Sequence, residues 1–138
     1  MHDSAIPATV LEQLHRDFTY QPDGALDTWA LHCRAGPFEG DCEDFALALA
    51  WRLAGHKWRR FLWDLVSGKS VIWYCISTAG GGHAVLAYKG AGWADNMTHG
   101  WAERTPHRLR FPFIWPLLLL KLAAGPLLAR VNRAMGRG

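Results

Sequence analysis

Between residues 70 and 89 the chain reads as one local structure, an antiparallel hairpin. Ser70-Val-Ile-Trp-Tyr-Cys-Ile-Ser and His83-Ala-Val-Leu-Ala-Tyr-Lys are β-branched and aromatic runs, separated by Thr78-Ala79 and three glycines, Gly80 to Gly82. Gly90-Ala-Gly is a second tight connection, into Trp93-Ala-Asp-Asn-Met, a third strand. Three strands joined by short glycine turns predict an antiparallel meander. The chain before residue 70 has a helical period instead. Val10, Leu11, Leu14 and Phe18 share one face of a helix over about 7–18, with Pro7 in its first turn. Tyr20-Gln-Pro-Asp-Gly reads as a turn. Asp27 and Thr28 are placed to cap a short helical piece holding Trp29, Ala30 and Leu31. Residues 35–40 read as a loop, and 57–66 fit a short helix or an irregular packed segment. Helices followed by a small antiparallel sheet make an α+β fold.

The strongest helix begins at Gly40-Asp-Cys-Glu-Asp-Phe and continues through Ala46-Leu-Ala-Leu-Ala-Trp-Arg-Leu-Ala to a stop at Gly55. Asp41 suits the N-cap and Asp44 the reciprocal position of a capping box. Cys42 then lies in the first turn, where the helix dipole favours a thiolate. A cysteine nucleophile also needs a base and a group that orients the base. His83 opens the second strand after three glycines, and Asp95 lies in the next strand, where antiparallel pairing brings the two within hydrogen-bonding reach. Each has a plainer use: Cys42 as a small buried hydrophobe, His83 as a strand-edge histidine, Asp95-Asn96 as a turn pair. The order Cys, His, Asp across a helix start and two neighbouring strands favours catalysis. Cys33 and Cys75 read as buried and inert, His56 as part of a helix end, and His99 and His107 as surface groups in a loop. His2, His15 and His32 show no metal-ligand spacing. Trp29 reads as core.

These residues resemble the bacterial transglutaminase-like cysteine proteinases, a family with calcium-dependent periplasmic members. The likeness is carried by Gly40-Asp41-Cys42-Glu43-Asp44-Phe45-Ala46, His83-Ala84-Val85-Leu86 and Asp95-Asn96, with Trp29 ahead of the first motif. It spans roughly residues 25 to 100. It implies a papain-like, transglutaminase-like core with the nucleophile at a helix start packed on the sheet. It also implies Cys42 as nucleophile, His83 as general base then acid, Asp95 as the residue that orients His83, and the Cys42 N–H as an oxyanion donor. Asp41 and Glu43 match positions that bind calcium in the calcium-dependent members. Acids this close to a thiol raise its pKa, and a bound cation would offset them. The simpler account is that they complement the helix N-terminus, with no cofactor required.

Composition narrows the remaining choices. At 138 residues the chain suits one domain, and with half of them hydrophobic it is not disordered. Three cysteines with no close pair argue against a disulfide framework and a four-ligand zinc site, and fit a reducing compartment. The N-terminus has neither a basic nor an apolar region, so no signal peptide is expected and a cytoplasmic or virion-associated, phage-encoded setting fits. Residues 104–138 hold seven Lys/Arg and no acid, whereas 1–103 hold eight against twelve acids. The basic residues of the tail are spread among apolar ones, which disfavours nucleic acid. We therefore expect a body over 1–110 and an apolar, proline-broken tail over 111–138. Its run at 111–128 would pack on the body, on a protein partner or on an assembly, with membrane contact less favoured. The expected activity is that of a cysteine peptidase or amidohydrolase acting on a peptide or isopeptide amide through a Cys42 thioester. An adaptor that docks through the tail and a peptidoglycan peptide hydrolase are the alternatives.

Overall fold

The computed structural model describes residues 5–21 and 29–136. The proposed Asp27-Thr28 cap, most of the Tyr20–Gly24 turn and His2 lie outside them. Helix α1 (Ala5–Asp17) runs into strand β1 (Phe18–Tyr20), which pairs in parallel with β2 (Phe38–Gly40). The second strand falls in a stretch expected to be loop. The Phe18 and Phe38 rings meet at 5.5 Å across the pair, and Gly40 leads directly into α2 (Cys42–Leu53). Trp29, Ala30 and Leu31 are not helical. Trp29 is nonetheless core, 1 % exposed.

Helix α2 is apolar on every side and buried from Asp44 to Leu53, as a central helix must be. It packs between α1 and the sheet, where Phe45, Leu47 and Leu49 join Leu11, Leu14, Ile72 and Leu86 in one core. Each of these large side chains contributes roughly 1.5–3 kcal/mol by leaving water. Its start has the full capping box: Asp41 Oδ1 accepts from the Asp44 N–H, and Asp44 Oδ2 accepts from the Asp41 N–H. The other Asp44 oxygen accepts from the Ala30 N–H at 3.0 Å. At the other end Gly55 is left-handed, with φ of +69°, and stops the helix. Arg52 leaves α2 to meet Asp17 at 2.7 Å and the Gly36 carbonyl at 3.1 Å, tying α1 and the loop before β2 together.

After α3 (Trp58–Ser67) come β3 (Ser70–Ile76), β4 (Gly82–Tyr88) and β5 (Gly92–Ala94), the expected meander. A fourth strand, β6 (Arg108–Phe113), pairs with the outer side of β3, so the sheet order is β5-β4-β3-β6. Residues 111–113 therefore belong to the sheet, and the expected boundary at 110 cuts through a strand. Pro112 is tolerated there because β6 is an edge strand. The rest of the tail is a single helix, α4 (Trp115–Gly136), with Pro126 inside it, where the expectation was a chain broken by prolines. Gly125 explains its seat: it is buried, and a Cβ there would run into the Trp29 carbonyl.

Gly40 is held in the same way. A Cβ on it would lie 2.6 Å from the Asp44 carboxylate. Asp41→Ala should lower the unfolding free energy by about 1 kcal/mol, the usual value of an N-cap. Gly40→Ala should cost more, because it displaces the Asp44 carboxylate from two backbone N–H groups. Urea titration of both variants checks this, and a Gly40→Ala protein as stable as the parent would contradict it.

Candidate active site

The antiparallel order sets four strand termini at one end of the sheet: Ile76 closing β3, Gly82 opening β4, Ala94 closing β5 and Arg108 opening β6. The N-terminus of α2 arrives at the same end. A cavity of about 290 Å³ lies there, lined by Tyr20, Cys42, Ser77, Gly82, His83, Asn96 and Met97. The first two members of the expected triad thus share one cavity. The Ala84 backbone N–H hydrogen-bonds the Cys42 sulfur, which holds the thiol against the residue that follows His83.

Asp95 sits one residue past β5, not within the strand. Its backbone turns so that Oδ1 accepts from the Met97 N–H at 2.9 Å, the Thr98 N–H at 2.9 Å and the Thr98 hydroxyl at 3.0 Å. Its Oδ2 accepts from His83 Nε2 at 3.1 Å. A carboxylate only accepts, so His83 carries its proton on Nε2 and Nδ1 is the basic nitrogen. Burial pushes the Asp95 carboxyl up, but the His83 hydrogen bond and charge, with Thr98 and His107, outweigh it and hold the pKa at about 2.

His107 is the residue that sequence reasoning misplaced. Expected at the surface, it is 6 % exposed, and its Nε2 donates to the same Asp95 Oδ2 at 2.7 Å. Its ring meets the His83 ring edge-on at 4.7 Å. The Thr78 N–H donates to its Nδ1 at 3.1 Å, which fixes the ring proton on Nε2. The readable signal was the alternation Arg108-Leu109-Arg110-Phe111. It marks a fourth strand and places a histidine at its start, beside the other strand ends.

The thiol does not rest as a thiolate. Burial is the main cause that raises the Cys42 pKa above its usual range. Glu43 and Asp41 add to it, and the Ala84 N–H opposes them. The helix-dipole expectation gives way to this burial and to the Glu43 and Asp41 carboxylates. Cys75 is buried and lies outside the chemistry: its Sγ donates to the His83 carbonyl, and burial, with Asp95, raises it to about 11. Cys33 is exposed, contrary to expectation.

His83, Asp95 and His107 place their ligand-type atoms within 4.8 Å of one another, and their fit to a metal can be judged from tautomers. A metal-bound imidazole presents a lone pair to the ion and donates its other N–H outward. Here the outer nitrogen of His107 accepts, from Thr78, so the nitrogen facing Asp95 carries the proton. The arrangement suits a carboxylate held by two donors and not a metal. Asp41 is engaged in the helix cap. Among the described residues, no third ligand-type side chain groups with Asp41 and Glu43, whereas calcium takes six to eight oxygens.

Two outcomes test this site. The depressed Asp95 pKa contributes about 2 kcal/mol of stability. That contribution is fully present above the ordinary value of 3.8 and is lost as pH falls through about 2. The stability gap between the parent and Asp95→Asn, followed by urea titration, should therefore close between pH 4 and pH 2; a constant gap contradicts the assignment. His107→Leu should slow Cys42 alkylation about tenfold, the worth of one hydrogen bond to a charged group, while His107→Gln, which keeps a donor for Asp95, should largely restore it. The chain matches no family model and no curated protein.

Proposed function

We propose that the protein is a cysteine peptidase or amidohydrolase of papain-like, transglutaminase-like architecture. The observation that carries this reading is the shared cavity of Cys42 and His83, with His83 backed by a buried Asp95. The resemblance of Gly40–Ala46, His83–Leu86 and Asp95-Asn96 to that family supports it.

Because the resting sulfur is a neutral thiol, His83 acts as general base during attack and not through a preformed ion pair. Nδ1 takes the thiol proton as the sulfur bonds to the substrate carbonyl carbon. The Cys42 N–H, one of the first-turn donors that the helix itself does not use, stabilises the oxyanion. Collapse breaks the C–N bond, and the His83 imidazolium gives its proton to the leaving amine. Water, deprotonated by His83, then attacks the thioester, releasing the acid and restoring the thiol. An amine in place of water makes the same site a transferase. Asp95 keeps the imidazole in the required tautomer and stabilises its cation. Exposed Tyr20 and Met97 at the cavity edge suit an extended peptide passing over the thiol.

The test uses a Cys33→Ser background, which removes the exposed competitor. Limiting iodoacetamide at neutral pH, followed by peptide mapping, should label Cys42 ahead of Cys75. His83→Gln should slow Cys42 labelling at least about a hundredfold, the lower range for a lost general base. Labelling at an unchanged rate would overturn the activated thiol. Added calcium or a chelator should leave the rate unchanged, since Asp41 serves the helix cap.

A further inference from the structure

Charge is unevenly placed in the second half of the molecule. Residues 57–136 hold eleven Lys/Arg and three acids, of which Asp64 and Asp95 are buried and Glu103 is exposed. The same stretch turns large apolar side chains to solvent. In α4, Leu118 and Gly125 face the body, while Leu120 and Leu127 are 65 % and 64 % exposed. At about 100° per residue, Leu120, Leu127 and Val131 fall in one arc opposite the buried pair, with Arg130 at its margin. The helix starts beside an apolar groove of about 690 Å³, lined by Val66, Trp73, Trp93, Ile114 and Trp115 among others. Ile114 and Trp115 are themselves 60 % and 45 % exposed.

We propose that this face docks on an anionic phospholipid bilayer. Helix α4 lies in the plane of the interface, with Leu120 and Leu127 in the acyl layer, Arg130 on lipid phosphates and Arg133 adding positive charge within a Debye length of them. Trp115 sits at headgroup depth, where tryptophan is enriched, and the groove beside it accepts an acyl chain. Charge selects this occupant. A second copy docked face to face would set cations against cations, with Glu103 as the one exposed acid of the region to answer them. A nucleic acid would satisfy the arginines and leave the leucines and tryptophans in water. Among the described residues no helix is long and apolar enough to cross a membrane. The surface is separate from the thiol site, and the proposal stands whether or not Cys42 is catalytic.

The test is flotation of the full chain with vesicles of phosphatidylglycerol and phosphatidylcholine, against phosphatidylcholine alone. Binding is expected to the anionic vesicles only. It should weaken at least about tenfold in Arg130→Glu/Arg133→Glu, from the loss and reversal of two surface charges, and be lost in Leu120→Asp/Leu127→Asp. All four positions are exposed, so unchanged thermal melts should show that both variants fold. Failure to float, equal binding to both vesicle types, or binding indifferent to these substitutions would overturn the proposal. So would duplex DNA binding without flotation, or a dimer abolished by Leu120→Asp/Leu127→Asp in a protein that does not float.

Discussion

One buried carboxylate organises the end of the sheet. Asp95 accepts five hydrogen bonds, two on Oδ2 from His83 and His107 and three on Oδ1 from its own turn. It joins the start of β4 to the start of β6 across β3, and through Thr78 to the end of β3. A buried anion is costly unless its lone pairs are filled, and these five donors fill them. The same bonds fix tautomers. With both Nε2 atoms turned to Asp95, His83 is left with its lone pair on Nδ1, and His107 is held in the donor tautomer.

The start of α2 serves two demands that oppose each other. The capping box, completed by Gly40 and by the Ala30 N–H on Asp44, holds a helix buried from Asp44 to Leu53 and so sets the sulfur against β4. Burial, with Glu43 and the cap's own Asp41, keeps the sulfur protonated. In the proposed reaction, proton transfer to His83 accompanies attack on the carbonyl and does not precede it. A neutral thiol is also less open to oxidation, which acts on thiolates.

Much of this was legible in order and spacing. The capped helix at Asp41, the β3–β4 hairpin around the three glycines, and the Cys42, His83, Asp95 succession all depend on local patterns, and local patterns are what sequence displays. The missed features are non-local. β2 exists because β1 lies beside it, and Phe38-Glu-Gly alone is too short to signal a strand. In the sequence β6 reads as part of an apolar tail, because Pro112 demotes a strand and Pro116 and Pro126 argue against a helix; the sheet edge and the contact of Gly125 with Trp29 override both. His107 followed β6 into that error, since its burial depends on the fourth strand.

Thioester formation tests the central claim most directly. The parent protein, in a Cys33→Ser background, would be mixed with an activated acyl ester, quenched in acid and mapped by mass spectrometry. The account predicts an acyl group on Cys42 that forms within the mixing time, decays as water replaces it, and is absent in His83→Gln. Acylation confined to lysines, or a Cys42 acyl group that forms equally well without the His83 imidazole, would contradict it.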